Sequence, residues 1–312
     1  MPYTSNSLRN VPMLIVGYNR PDFLKKRLLE ASKMSVKKIY VSVDGGLESR
    51  SPEMLELLRN AHSYFKDSQE VVISHHKSNL GLTNHISQSV SEVLKENNFL
   101  VIVEDDVILS ENFYNNMLHG LGVLSAKKAK GLVCAFSPIS VKHNKIFKNK
   151  WRNTCYFSCW GWACSKETWQ HYSNEIGAID LDESFKYSKI WKKLTLEQKM
   201  IWFARFKKVA KNPAYTWDIQ MQFISFANNF TNIAPLFRFI GNEGFNDDRA
   251  VHTKGRIPWW FANSWINTQQ IEAFSGTISC YLLELFESYF SIRDRKEPWP
   301  LLQIKKVVHL IR

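Results

Sequence analysis

The chain has 312 residues, 45% of them hydrophobic and 13% aromatic, enough for a full globular core built as one large domain or as one domain with an appendage. Forty-one basic side chains against 29 acidic ones leave a formal net charge of +12. That excess implies an anionic partner or surface: a nucleotide, a phospholipid bilayer or nucleic acid.

The first residues include no apolar leader segment, and no run of about 18 uncharged apolar residues occurs. The expectation is a protein that neither spans a membrane nor is exported by that route. Five cysteines (Cys134, Cys155, Cys159, Cys164 and Cys280) form no CxxC pair. An odd count without a leader suggests reduced thiols in a cytoplasm. Cys155, Cys159 and Cys164 cluster, with His171 nearby, yet their spacings fit no common zinc pattern and small core residues fit them better.

Pro12 to Val16 reads as a short apolar strand, broken by Gly17-Tyr18-Asn19-Arg20-Pro21. Pro21 suits the first position of a helix. Over Asp22–Lys33 the residues Phe23, Leu24, Arg27, Leu28 and Ala31 share one helical face, and Asp22 complements the helix dipole. Lys38–Val43 is a second strand, ended by Asp44-Gly45-Gly46. Ser51 caps a helix running to about Lys66. Glu70–Ser74 is a third strand, followed by the turn Lys77–Gly81 and a helix over Leu82–Glu96.

Phe99–Val103 is a fourth strand, five consecutive apolar residues that read as buried on both faces. It ends in Glu104-Asp105-Asp106. Three adjacent anions in an apolar frame cost desolvation and repel one another unless a cation or donors compensate them. Hard oxygen ligands at that position suit Mg²⁺ or Mn²⁺ bridging substrate phosphates; a solvated acidic turn carries the same three residues without that function. Strand and helix have by then alternated through four strands, which predicts a parallel sheet with helices on both faces and right-handed crossovers. Ligands of such sheets sit beyond the carboxyl ends of the strands. Those ends carry Asn19-Arg20, Asp44-Gly45-Gly46, His75-His76 and Glu104-Asp105-Asp106.

Glu111–Leu124 reads as a helix and Gly131–Ser137 as a strand. Asn149–Cys164 is dense in aromatics, including Trp160-Gly161-Trp162, which core packing would also use. Lys166–His171 reads as a short helix, and 180–211 as helical, with aromatic residues interleaved by lysines. Asn212-Pro213 stops it. Tyr215-Thr216-Trp217-Asp218 opens a helix from Ile219 to about Asn228, with Thr216 as a candidate N-cap. Thr231–Ala234 and Leu236–Ile240 read as extended pieces, Gly241–Gly255 as a polar loop, and Tyr281–Phe290 and Leu301–Ile311 as closing helices. The lysine–aromatic segment and the tail Lys305-Lys306…His309…Arg312 are basic and amphipathic. They fit solvated helix faces or peripheral attachment to an anionic membrane surface.

Four stretches, VGYNRPDFL (16–24), VSVDGG (41–46), VIVEDDVILSENFY (101–114) and TWD (216–218), resemble nucleotide-sugar glycosyltransferases of the GT-A fold. The resemblance is to the N-acetylglucosaminyltransferase I type and to bacterial surface-polysaccharide transferases. It implies an α/β fold with a Rossmann-like, mostly parallel sheet over residues 1–255, divided into a nucleotide-sugar-binding half (10–137) and an acceptor-side half (138–255). A basic, aromatic, helical C-terminal extension (256–312) lies beyond the resemblance. The family implies Asp106 as ligand of Mn²⁺ or Mg²⁺, Asp105 at the ribose and Glu104 at the donor sugar. It implies Tyr18 and Arg20 near the nucleotide, Asp44 at the uracil edge and Asp218 as the general base of an inverting transfer. Trp160, Gly161 and Trp162 would contact the sugars, and His252 lies where related folds often place a histidine on the metal or diphosphate. The implied partners are a nucleotide-sugar donor and a glycan or lipid-linked acceptor, at a cytoplasmic site peripheral to the inner face of the cytoplasmic membrane.

A nucleotidyltransferase also uses acidic metal ligands on an α/β sheet, but no glycine-rich phosphate loop with a basic residue stands near the N-terminus. The net charge alone suggests a nucleic-acid-binding protein. No zinc-finger, RNA-recognition or helix-turn-helix signature accompanies it, so no nucleic acid is expected.

Overall fold

A computed structural model describes residues 8, 10–137, 151–176, 181–236, 238–249, 266 and 287. In chain order the elements are β1 (Met13–Gly17), α1 (Pro21–Ser32), β2 (Lys38–Val43), α2 (Pro52–Asn60), β3 (Glu70–His75), α3 (Leu82–Glu96), β4 (Phe99–Glu104), β5 (Val107–Leu109), α4 (Phe113–Ala126), β6 (Leu132–Cys134), β7 (Trp151–Thr154), β8 (Trp162–Ser165), α5 (Lys166–Trp169), α6 (Leu181–Phe185), α7 (Lys189–Lys193), α8 (Leu196–Lys211), α9 (Asp218–Ala227), β9 (Asn232–Pro235) and β10 (Ile240–Asn242).

The main sheet runs β3-β2-β1-β4-β8-β6-β9-β7. Its first four strands are parallel, with Val16 of β1 level with Glu104 of β4. β8 then lies antiparallel between β4 and β6, and β7 antiparallel to β9, while β6 and β9 are parallel. The protein is therefore mixed α/β, with a mostly parallel central sheet. A second, two-stranded sheet joins β5 to β10.

The two faces of β4 feed different cores, as a period of two requires. Val101 and Val103 pack under α1, α2 and α4 with Leu24, Leu28, Met54 and Met117. Leu100 and Ile102 pack on the other side with Ile86, Val90, Trp162, Trp169 and Trp217, beneath α3, α5 and α9. A third, aromatic core of Tyr156, Phe185, Trp202, Phe206, Phe223 and Phe226 holds α6, α8 and α9 together. Among the described residues no helix is long and apolar enough to cross a membrane.

The buried face of α1 is Phe23, Leu24, Arg27, Leu28 and Ala31, as its periodicity predicts. Ser51 caps α2, its hydroxyl accepting from Met54 N at 3.2 Å. The continuous helix expected over 180–211 is instead three helices. The Ser188 and Thr195 hydroxyls accept from Trp191 N (3.0 Å) and Gln198 N (3.2 Å), and each such cap starts a new helix. The aromatic stretch 149–164 contains β7 and most of β8, strands that its composition did not announce. Among the described residues of the segment 236–240 only Ile240 is a strand residue. The cap of α9 is Trp217 rather than Thr216, whose hydroxyl turns to Asp218. The expected boundary at 255 and the extension beyond it, Ile266 and Glu287 apart, lie outside the described residues.

Candidate active site

β1 and β4 end side by side, and Asp105 N donates to Val16 O at 2.9 Å. Arg20, at the start of α1, is thereby brought against the acidic end of β4. Its Nε (3.2 Å) and Nη2 donate to the two oxygens of Asp105, and its Nη1 donates to Asp106 Oδ2 at 3.3 Å. A fork-shaped guanidinium is built for such two-point contact.

One cation does not neutralise three acids. Burial, then the charges of Asp106 and Asp105, hold the Glu104 carboxyl well above the usual carboxylate range. Burial lifts Asp105 to about 7 against the opposing pull of Arg20, and lifts Asp106 against the same pull. Arg27 stands nearby, but its Nη2 is shared between Glu30 (3.0 Å) and Glu243 (3.2 Å). Asp106 O accepts from Glu243 N at 2.9 Å, so the β5–β10 ladder carries the segment after Asn242 back to the acidic cluster. Further along, Arg249 bonds both Asp22 and Asp247.

Asp218 opens α9 and accepts a hydrogen bond from the Thr216 hydroxyl. Its negative charge adds to the upward push on Glu104, and it also acts on Tyr172 and Arg205. Cys159 joins the same group: burial first, then Asp218, Glu104 and Asp106, push its thiol far up, so it is a neutral S–H. Arg20, Glu104, Asp105, Asp106 and Asp218 thus belong to one electrostatic neighbourhood, with Cys159 within it.

The remaining sequence-derived residues divide. Asp44 is buried, its carboxylate accepting from Gly45 N (2.8 Å), Leu80 N (2.9 Å) and Gly81 N (3.1 Å), which ties the end of β2 to the start of α3. Tyr18 donates to Glu48 (2.8 Å) and accepts from Asn79 (2.9 Å) beside that tie. Trp160 is half-buried, edge-on to Phe136 and Phe245 with ring centroids 4.7 and 5.4 Å apart. Trp162 corrects the expectation of a sugar-stacking ring: it is 0% exposed, packed among Phe157, Trp169 and Trp217, with no open face. Gly161 likewise answers to the fold. Its φ is +66°, and a Cβ there would sit 3.0 Å from a Phe113 ring carbon and 3.2 Å from Ala135 Cβ, so the close approach is to protein. His252 lies outside the described residues.

Among the described residues no set of three His, Cys, Asp or Glu side chains is already arranged to hold a metal ion. The donor chemistry nevertheless suits one. Mg²⁺-type ions are commonly held by one or two carboxylates plus substrate phosphates; Asp106 is buried and Glu104 half-buried, and the upward push on both carboxyls marks a place where a further cation would be favoured.

Sequence reasoning missed Cys159, Arg27 and Glu243 as neighbours of the cluster. The position of Cys159 directly before Trp160 was the available signal for the first; Arg27 was read as part of an apolar face, though a charged residue there needs a partner.

The arrangement defines an α/β protein with a cluster of acidic side chains at the carboxyl ends of parallel strands. No family model matches the chain, and no curated protein matches it. Among solved structures it resembles the mannosyltransferase PcManGT from Pyrobaculum calidifontis in complex with GDP-Man and Mn²⁺, at 13% identity and a TM-score of 0.41, covering 70% of this chain and 69% of that one. It also resembles S. aureus TarS 1-349 in complex with UDP, at 13% identity and a TM-score of 0.35, covering 50% of this chain and 47% of that one. A second S. aureus TarS structure is matched at 10% identity and a TM-score of 0.39, over 72% of this chain and 35% of that one.

Proposed function

We propose that the chain is an inverting, metal-dependent glycosyltransferase. It transfers a hexosyl or N-acetylhexosaminyl group from a UDP-sugar to a hydroxyl of a glycan or lipid-linked acceptor, in bacterial cell-surface polysaccharide synthesis. The observation that supports it is the under-neutralised group Glu104-Asp105-Asp106 at the end of β4, with Arg20 on one side and Asp218 within electrostatic reach.

Glu104 would meet the donor sugar, and Asp106 would hold Mn²⁺ or Mg²⁺, which as a Lewis acid offsets charge on a leaving diphosphate. Arg20 supplies the fixed positive charge beside it. Asp105, held in the fork of Arg20, would meet the ribose, and Tyr18 and Asp44 would meet the base. In the transfer the acceptor O–H gives its proton to Asp218, and the acceptor oxygen bonds the anomeric carbon. The bond from that carbon to the diphosphate breaks, and UDP leaves with the electron pair. The Thr216 hydroxyl orients Asp218, leaving its second oxygen for the acceptor.

Calorimetry with UDP, with and without Mn²⁺, tests the reading. Binding is expected only with metal, and Asp106→Ala is expected to abolish it. Binding that ignores the metal, or survives the substitution, overturns it.

A further inference from the structure

Residues 186–211 carry nine basic side chains and one acidic one, Glu197. They form α7 and α8, one flank of the third core. The inner face of α8 is Gln198, Trp202, Phe206 and Val209, all buried. Its outer face follows the same helical spacing with Leu196, Met200 and Phe203, then Lys207 and Lys211. Leu196 is 75% exposed and Met200 65%; Tyr187, just before α7, is 74% exposed. These are large apolar side chains standing in water. Lys207 lies over the half-buried Phe203 ring, 4.6 Å from its centroid. Lys192 and Lys193 are exposed on α7. Among the described residues no carboxylate forms an ion pair with Lys192, Lys193, Lys199, Lys207 or Lys211.

We propose that this face is a docking surface for an anionic lipid bilayer, with Tyr187, Leu196, Met200 and Phe203 entering the headgroup–acyl boundary and the lysines meeting the headgroups. A helix lying in the interface needs an apolar stripe edged by lysines, and both are present. A nucleic acid would satisfy the lysines but leave the apolar side chains in water. The inference does not depend on the glycosyltransferase reading.

Sedimentation of the full chain with vesicles tests it. Vesicles of phosphatidylcholine with about a third phosphatidylglycerol are expected to carry the protein down, and phosphatidylcholine alone is not. Lys192→Glu/Lys193→Glu/Lys199→Glu is expected to abolish binding. Leu196→Ser/Met200→Ser is expected to weaken it about tenfold or more, with Tm and metal-dependent UDP binding unchanged. No binding to the anionic vesicles overturns the proposal. So does full binding by the Leu196→Ser/Met200→Ser variant, which would leave only a charge patch. Displacement of bound vesicles by equimolar single-stranded DNA overturns it in favour of a nucleic-acid surface. A failed UDP titration alongside intact vesicle binding would count against the active-site reading alone.

Discussion

Arg20 grips both oxygens of Asp105 and spares only one nitrogen, 3.3 Å away, for Asp106. The two aspartates therefore differ in kind although they are adjacent. Asp105 is committed to an ion pair, while Asp106 keeps capacity for another partner.

Removal of Arg20 should expose that asymmetry. Its side chain is 14% exposed and that of Asp105 only 3%, so Arg20→Ala leaves carboxylates buried without their counter-ion. Breaking such a pair costs about 3–5 kcal/mol. Urea denaturation should show a loss of that order, whereas a shift below about 0.5 kcal/mol would mean that the pair contributes nothing.

Asp218 is expected to act in transfer and not in donor binding. Asp218→Asn should lower the transfer rate by roughly 10²- to 10⁴-fold, the usual effect of losing a general base. Calorimetric affinity for UDP and Mn²⁺ should stay within about twofold of the parent, a difference near 0.4 kcal/mol. A parallel loss of both would place Asp218 in the donor site instead.

Much of this was legible in the sequence. Five consecutive apolar residues before three acids read as a buried parallel strand with a polar rim; β4 is buried and parallel to β1, but β8 pairs antiparallel on its other edge. The face of α1 could be read because its apolar positions recur at helical spacing. The antiparallel half was not legible. β7 and β8 have four residues each, too short for a period to show, and Arg152 disguises β7 as a surface segment. Trp160 and Trp162 look equivalent in sequence, yet Gly161 at φ +66° turns the chain before β8 begins, so one ring is half-buried and the other belongs to the core. Asp44 looked like a strand-end residue or a base reader; two of its three donors come from residues 80 and 81, which no local reading supplies.

His85 gives the fold an acid limit. It is 2% exposed, with Nε2 2.8 Å from the Ser42 hydroxyl. Burial chiefly, with His76 nearby and against the pull of Asp44, lowers it from 6.5 to about 4. The fold therefore holds the neutral ring while the unfolded chain takes up a proton first. Its contribution is complete above pH 6.5 and is lost as pH falls toward 4, the loss reaching about 2 kcal/mol by pH 5. Urea midpoints at pH 7 and pH 5 should differ less in His85→Gln than in the parent; equal differences would show that another group titrates.

Arg152 of β7 is buried, and both its terminal nitrogens donate to Glu287, one at 2.6 Å, while the Thr154 hydroxyl donates to the same carboxylate. Glu287→Ala should cost about 3–5 kcal/mol in urea denaturation. A chain cut after residue 255 should lose at least as much. If either remains as stable as the parent, the region beyond residue 255 is a separable appendage.

That pairing also sets an order of events during synthesis. Arg152 is made 135 residues ahead of Glu287, about 7–27 s earlier at typical elongation rates. Throughout that interval the outermost strand carries a charge with no counterpart yet translated. A polypeptide ending between the two residues would hold the buried Arg152 guanidinium in β7 without that carboxylate.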